Sequence, residues 1–339
     1  MEHFQNAVNK FPVDKTNLTK EEYGFTIEEL YNMTKPYLEV IHNEFKFTNI
    51  KLPKRLGANS LVFIAYCNDI DKMVAIKIAL VDKVANNPIT KSVIERLNSH
   101  EIIPRVIYNN IFDIKLKAYD LSIMISSYVI SLETFKFTNV MQLKNAIYSF
   151  LNGIRNLHNM KIVHRDIKSS NLGLDENGRL YLFDFDNSSS VSKSCHLESS
   201  TLSCYPPDTL IRCYKKLNFG NMIIDWFSCI MCILGVILKF KKWDFEYGII
   251  IGDDIYDYTR LDEKEKLVNS FDLNRLYNDI EKKIRKNYPD YKFELDNFWY
   301  IFCNIVHLIF KGCNDMNPYE FKTTLEALIC KLGIEYSIR

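Results

Sequence analysis

The most informative part of the sequence is Ile162-Val-His-Arg-Asp-Ile-Lys-Ser-Ser-Asn-Leu-Gly-Leu174, followed after a short turn by Leu180-Tyr-Leu-Phe-Asp-Phe-Asp186. Phosphoryl transfer needs metal ions and a cation to neutralise the charge of the phosphates, and a carboxylate to accept the proton of the attacking hydroxyl. Asp166 can be that carboxylate, and Lys168 can pair with a phosphate. Asn171 and Asp184 can be the metal ligands. The spacing of these four residues therefore predicts a site for phosphoryl transfer.

This stretch resembles the catalytic loop and the metal-binding loop of eukaryotic-type protein kinases. The resemblance implies that the γ-phosphate of ATP passes to a protein hydroxyl, which Asp166 orients and deprotonates. It also implies that Lys168 neutralises the transferred phosphate and that Asn171 and Asp184 hold Mg²⁺. A lysine at position 168 is typical of the Ser/Thr type of catalytic loop.

A second match to the family is Met73-Val-Ala-Ile-Lys-Ile-Ala79, which predicts a strand that carries Lys77. An unpaired ammonium in an apolar strand is costly, so Lys77 needs a partner. The motif looks like the third strand of kinases, which implies that Lys77 grips the α- and β-phosphates of ATP. The phosphate-covering loop before it keeps only Gly57. Backbone groups near Ser126–Tyr128 are expected to bond the adenine.

The acidic helix residue that pairs with this lysine in kinases is hard to place. Glu95 is the only carboxylate in the helix predicted at 88–98, and it lies about one turn later than the family spacing suggests. Residues 91 and 95 share a helix face. Glu95 can therefore pair with Lys77 after a small shift or be a surface charge, and the sequence leaves both open.

The segment after the metal-binding loop departs from the family. Asp186 replaces the usual glycine, and residues 187–204 are rich in serine. Arg165 next to Asp166 is typical of kinases in which phosphate orders this segment. Ser199, Ser200 or Thr201 is the expected phosphorylation site, and an unmodified loop is the alternative. Asp225 resembles the buried aspartate that holds the catalytic loop backbone, while His158 and His164 are expected to be structural hydrogen-bonding groups.

The composition is that of an ordinary globular protein, with 47% hydrophobic and 25% charged residues and a formal net charge of +1. This balance gives no reason to expect nucleic acid or a membrane as a partner. The nine cysteines are odd in number and scattered, so reduced thiols in a cytoplasmic, reducing compartment are expected. The CxxC at Cys229-Ile-Met-Cys232 lies in an apolar helical run and is interpreted as core.

The predicted fold class is α+β: a bilobal, protein-kinase-like fold with a small β-rich N-lobe and a larger, mainly helical C-lobe. The expected domains are a helical extension over 1–48, an N-lobe over 49–128 and a C-lobe over 129–339. The extension either packs on the first lobe or docks a partner, and Pro36 predicts that its helix is broken or kinked. In the C-lobe, helices are expected over 143–160, 223–238, 262–286, 298–310 and 318–332.

Two other functions are consistent with the same residues. A small-molecule kinase of the aminoglycoside or choline type shares the Asp, Asn and Asp core, although Arg165 and Lys168 argue against it. A catalytically weak pseudokinase that acts as a binding module would fit the sparse glycines and the position of Glu95. The expected ligands are ATP with Mg²⁺ and a protein substrate, and the sequence leaves the oligomeric state open.

Overall fold

The structure is a computed structural model, and it describes residues 27–51, 60–82, 91–113, 119–185, 188–191, 206, 211–212, 214–215, 222–238, 271–293, 296–311 and 316–337. Three predicted features lie outside these residues, namely Gly57, Asp186 and the serines and threonine of the segment 192–205. The chain divides into two compact units. The first comprises Met1–Asn98 and Ile103–Tyr128, and the second comprises Ser99–Ile102 and Val129–Arg339.

The first unit is built around a five-stranded antiparallel sheet. Its elements are α1 (Ile27–Phe45), β1 (Phe47–Lys51), β2 (Ser60–Cys67), β3 (Lys72–Asp82), α2 (Lys91–Ser99), β4 (Val106–Phe112) and β5 (Tyr119–Ser127). The strands follow the order β1-β2-β3-β5-β4. Side chains alternate along β3, where Val74, Ile76 and Ile78 are buried while Ala75 and Lys77 are half-buried on the other face.

Helix α1 covers the buried face of this sheet. Tyr31, Leu38 and Ile41 share one hydrophobic core with the inward side chains of β2, β3 and β5. The rings of Tyr37 and Phe112 lie 4.6 Å apart, which extends the contact towards β4. Packing is therefore the observed role of the helix over the described residues.

Of the two outcomes predicted for Pro36, a break does not occur, because α1 continues through the proline. Proline removes one backbone N–H from the helical ladder. Pro36 is exposed, so water can satisfy the carbonyl that loses its donor. The helix tolerates the proline because the lost hydrogen bond lies on the side of the helix that faces solvent.

The second unit is mainly helical. Its elements are β6 (Ile130–Ser131), α3 (Val140–Asn159), β7 (Ile162–Val163), a 3₁₀ turn (Ser169–Asn171), β8 (Leu172–Leu174), β9 (Leu180–Leu182), β10 (Ser189–Ser190), α4 (Met222–Leu238), α5 (Leu273–Asn287), α6 (Asn297–Lys311) and α7 (Pro318–Ser337). Strands β6, β8 and β9 form one small sheet, and β7 pairs with β10. The predicted helices over 143–160, 223–238, 298–310 and 318–332 are confirmed, as is the part of 262–286 that is described.

The hairpin predicted between β8 and β9 is also confirmed. Gly178 has φ +77°, which few side chains tolerate, and a Cβ there would lie 2.7 Å from the carbonyl oxygen of Gln142. The carboxylate of Asp175 accepts from the backbone N–H groups of Asn177 and Arg179, each at 2.9 Å. This turn sets the register in which Leu172 pairs with Leu182.

The two units together have the predicted α+β class, with strands concentrated in the first and helices in the second. The core of the second unit is aromatic, and Trp299, Phe302 and Phe227 are fully buried. None of the helices in the described residues is long and apolar enough to cross a membrane.

Candidate active site

The loop between β7 and the 3₁₀ turn brings Asp166 and Lys168 together. The Nζ atom of Lys168 lies 3.0 Å from Oδ2 of Asp166, and the two side chains are 31% and 7% exposed, respectively. Asp166 is thus a nearly buried carboxylate that is paired with a cation. A pair of this kind can accept a hydroxyl proton and hold a phosphate oxygen at the same place.

Asn171 is fixed against the same carboxylate. Its Nδ2 donates to the carbonyl oxygen of Asp166 at 2.9 Å and to Oδ2 of Asp166 at 3.1 Å. Because both N–H bonds of the amide point to Asp166, the amide oxygen Oδ1 is directed the other way. The backbone N–H of Phe183 donates to the carbonyl oxygen of Asn171 at 2.9 Å, which brings the loop of Asp184 next to Asn171.

These residues fit the Mg²⁺ that the sequence predicts. Mg²⁺ prefers oxygen ligands and is commonly bound by one or two carboxylates together with substrate phosphates. Asp184 and Asn171 offer a carboxylate and an amide oxygen at the ends of two adjacent loops. No cluster of three or more His, Cys, Asp or Glu side chains suited to a metal occurs within the described part of the chain.

Two residues of this region have unusual backbone geometry, and Asp225 holds the first of them in place. Arg165 has φ +70° and Asp184 has φ +56°, conformations that cost a non-glycine residue roughly 1 kcal/mol or more. Asp225 is completely buried at the start of α4. Its carboxylate accepts from the backbone N–H groups of His164 and Arg165, both at 2.8 Å. The role expected of Asp225 is therefore confirmed by these contacts.

Both histidines of this region serve as hydrogen-bonding groups, as predicted. His158 places Nε2 2.9 Å from Oδ2 of Asp225. His164 donates from Nε2 to the carbonyl oxygen of Phe183 at 2.7 Å, and its Nδ1 accepts from the backbone N–H of Asp166 at 3.3 Å. The His164 ring also packs 4.6 Å from that of Phe185. His164 thus connects the loop that carries Asp166 to the loop that carries Asp184.

In the first unit, Lys77 lies at the centre of the sheet. It pairs across the strands with Val62 of β2 and Met124 of β5, and its side chain is on the face opposite to α1. Glu95 is exposed on α2. Helix α2 covers Lys91–Ser99, and it directs Leu97 into the core. The pairing of Glu95 with Lys77 stays a prediction.

The segment expected to bond adenine is partly engaged in the sheet. The backbone N–H of Tyr128 donates to the carbonyl oxygen of Met73 at 3.1 Å. The backbone N–H of Ser127 donates to the carbonyl oxygen of Arg105 at 2.9 Å. Ser126 is buried within β5, while Tyr128 is 37% exposed. The backbone group that Tyr128 can offer to a ligand is therefore its carbonyl oxygen.

Two cysteines of the helices α4 and α6 are core residues. Cys229 and Cys303 are buried free thiols. Burial and the nearby Asp225 carboxylate raise the pKa of Cys229 well above its ordinary value, and burial raises the pKa of Cys303 to about 12. Both thiols stay protonated at neutral pH, and protonated thiols are poor nucleophiles and metal ligands.

Sequence reasoning missed one contact of the site. Gly173 lies in β8, and a Cβ on it would collide with the ring of Phe183 and would lie 2.6 Å from Cγ2 of Val129. A glycine inside a strand is a signal of close approach. The identity of the neighbour could not be read from the sequence, because it depends on the register of β8 against β9.

Comparison with known proteins agrees with this geometry. The chain belongs to the protein kinase domain family, whose model matches residues 56–277, more than half of the chain. The predicted kinase resemblance is therefore confirmed.

The chain is also similar to individual kinases. It is 27% identical over 183 residues to the serine/threonine-protein kinase ste20 of Aspergillus oryzae, covering 52% of this chain and 21% of that protein. It is 42% identical over 97 residues to a putative cyclin-dependent serine/threonine-protein kinase of Dictyostelium discoideum, covering 27% of this chain and 14% of that protein. The chain thus spans about a fifth or less of the length of these relatives.

Proposed function

We propose that this protein is an ATP-dependent protein kinase that transfers the γ-phosphate to Ser or Thr hydroxyls of protein substrates. The observation that supports it most directly is the contact of Asp166 with both Lys168 and Asn171. In this proposal, residues 49–128 form the N-lobe and residues 129–339 form the C-lobe. The choice of Ser and Thr is supported by Lys168 and by the names of the relatives.

Each residue has a separate task in the proposed reaction. The carboxylate of Asp166 orients the acceptor hydroxyl and takes its proton as the oxygen attacks the γ-phosphorus. Lys168, held 3.0 Å from Asp166, then lies beside the transferred phosphate and offsets its charge. Most of the rate enhancement in such reactions comes from positioning and electrostatic stabilisation.

The remaining site residues are assigned to ATP in this proposal. Asn171 and Asp184 would ligate Mg²⁺, which neutralises phosphate charge when it is bound. Lys77 would contact the α- and β-phosphates, with Gly57 in the loop that covers them. The backbone of Ser126 and the carbonyl oxygen of Tyr128 would bond the adenine.

The first test is phosphoryl transfer from labelled ATP with Mg²⁺, measured on purified full-length protein with general protein substrates and without them. Asp166→Asn keeps the size of the side chain but removes the proton acceptor, so we expect the rate to fall by about 10² to 10⁴. Asp290→Asn, at an exposed position in the turn after α5, is the matched control and should retain the full rate.

The outcomes separate the proposal from its alternatives. Label in protein from wild type and from the Asp290 variant, but not from the Asp166 variant, supports a protein kinase. Binding of ATP without transfer to any protein would overturn the proposal in favour of a pseudokinase, which the exposed position of Glu95 favours. Transfer to an aminoglycoside or choline instead of a protein would identify a small-molecule kinase.

A further inference from the structure

The exposed face of α5 differs in charge from the exposed faces of α1 and α7. Those two faces carry both signs, as Lys35 with Glu39 on α1 and Lys322 with Glu320 on α7 show. Every residue of α5 lies within the described part of the chain. The exposed residues of α5 are all cations or amides, namely Asn274, Arg275, Asn278, Lys282, Arg285, Lys286 and Asn287.

The four cations lie on one side of the helix. Successive residues of an α-helix turn by about 100°, which places the cations within an arc of roughly 100° that is centred almost opposite Ile280. We call this arc the basic face, and its members are Arg275, Lys282, Arg285 and Lys286. The apolar side of the helix is buried in the core of the second unit through Leu276, Ile280 and Ile284. A partner of α5 can therefore meet only its charged side.

The two carboxylates of α5 lie beside the basic face. Asp279 and Glu281 are both half-buried. Glu281 accepts from Nε of Arg285 at 2.8 Å, which offsets one of the four positive charges. The basic face thus keeps an excess of positive charge although the formal net charge of the whole chain is only +1.

The stability of the helix does not explain this pattern. Arg285 and Lys286 lie in the last turn, where the helix dipole favours cations. Arg275 lies in the first turn, where the dipole disfavours a cation, and that turn has no acidic residue. Lys282 and Lys286 are four positions apart, and like charges at this spacing destabilise a helix. An anion bound to the basic face would relieve both effects.

The length of the basic face indicates the size of the anion. Arg275 and Lys286 are separated by about 17 Å along the helix axis, because each residue adds about 1.5 Å. About five residues of an extended chain cover that distance. Exposed carboxylates follow at both ends, since Asp272 caps the helix and Asp290 lies in the turn after it.

These ends favour a short acidic segment over a long polyanion. A nucleic acid strand carries a charge at every nucleotide, so it would continue past the basic face towards one of the two carboxylates. An anionic membrane would meet a helix whose apolar residues are already buried and cannot insert. A short run of Asp and Glu side chains avoids both difficulties.

We propose that the basic face of α5 docks protein substrates through a short segment of Asp and Glu residues, separate from the Ser or Thr that accepts the phosphate. Exposed ion pairs contribute little one at a time. Several of them on one rigid helix select a partner of opposite charge and speed its association. This inference rests on the proposed function and names a substrate class for it.

The first experiment measures binding to the full-length protein by fluorescence anisotropy. The probe is a labelled peptide with about six consecutive glutamates, which is long enough to cover the basic face. Lys282→Glu combined with Lys286→Glu reverses two exposed charges and should raise the Kd about tenfold or more. A peptide with glutamine in place of glutamate should bind neither protein.

A matched variant controls for net charge. Lys322→Glu combined with Lys331→Glu makes the same change of charge at exposed positions of α7. The Kd of this control for the glutamate peptide should stay within about twofold of wild type, because exposed charges beyond a Debye length are largely screened.

The second experiment measures phosphoryl transfer to one acceptor peptide, with and without the glutamate segment attached through a flexible linker. The wild type should have a lower KM for the peptide that carries the segment. The α5 double variant should lose this difference and keep kcat, because docking is the same in the ground state and the transition state. Its rate on the peptide without the segment should equal that of the wild type.

The possible results are distinct. Weaker binding that is specific to the α5 variant, together with the lost difference in KM, supports the inference. Equal binding of the glutamate peptide by all three proteins, or by none, would overturn it while leaving the proposed function intact. Tighter binding of duplex DNA or of phosphatidylserine vesicles than of the peptide would do the same. Failure of the wild type to phosphorylate any protein or peptide would overturn the proposed function and, with it, a role of α5 in substrate docking.

Discussion

Asp225 shows how one carboxylate can stabilise an unfavourable backbone conformation. Its two oxygens accept from two consecutive backbone N–H groups and from His158, and the second of those N–H groups belongs to Arg165 with its positive φ. Buried carboxylates that accept several such bonds are costly to alter, because the donors then lose their partners. The geometry of Asp166 therefore depends on a residue 59 positions further along the chain.

Asp225→Asn tests this dependence. The amide of Asn has one acceptor oxygen, and its NH₂ group would face a backbone donor, so we expect a loss of about 2 to 4 kcal/mol in the free energy of unfolding. Amide hydrogen exchange should become faster at His164 and Arg165, and phosphoryl transfer should fall. Unchanged exchange at these two residues would show that Asp225 does not hold the loop. Asp290→Asn is again the control.

The sequence was enough to predict those site residues whose chemistry depends on residue type and on spacing along the chain. Asp166, Lys168 and Asn171 lie within six consecutive residues, so local geometry alone brings them together. The position of Glu95 could not be predicted, because it depends on where α2 begins and which of its faces meets the sheet. The contact of Phe183 with Gly173 could not be predicted either, because it requires the register of two strands.

At the scale of elements, α1 is part of the first unit's core. Its inward residues pack on the same side of the sheet as Val74, Ile76 and Ile78. The sequence showed the helical period but not the surface that the helix would cover. That surface is formed by alternate residues of β2, β3 and β5, whose common face exists only once the strands are paired.

Two variants of α1 test its role. Leu38 is fully buried, so Leu38→Ala should lower the free energy of unfolding by about 2 to 5 kcal/mol through lost contacts and a cavity. Val40 lies two residues away and is 67% exposed, so Val40→Ala should change it by less than about 0.5 kcal/mol. Thermal denaturation of both variants makes the comparison. Equal effects would show that the helix does not pack on the sheet as described.

At the scale of the whole molecule, a buried ion pair links parts of the chain that are far apart in sequence. Nζ of Lys144 in α3 lies 2.8 Å from Oδ2 of Asp296, the residue before α6, and both side chains are inaccessible to solvent. Asp296 also accepts from the hydroxyl of Tyr291 and from the backbone N–H of Phe298. Nothing in the sequence pairs Lys144 with Asp296, since 152 positions separate them. The helices could be predicted one by one, but this connection could not.

Variants of Lys144 and Asp296 test whether this pair stabilises the fold by balancing a buried positive and a buried negative charge. Lys144→Met leaves an uncompensated buried carboxylate and should lower the free energy of unfolding by about 3 to 5 kcal/mol. Adding Asp296→Asn to that variant removes the charge and keeps an acceptor for Phe298, so the double variant should be more stable than Lys144→Met alone. Lys322→Met, which breaks an exposed pair with Glu326 at 3.8 Å, should have almost no effect. Urea denaturation measures all three, and a double variant less stable than Lys144→Met would show that charge balance is not what this network provides.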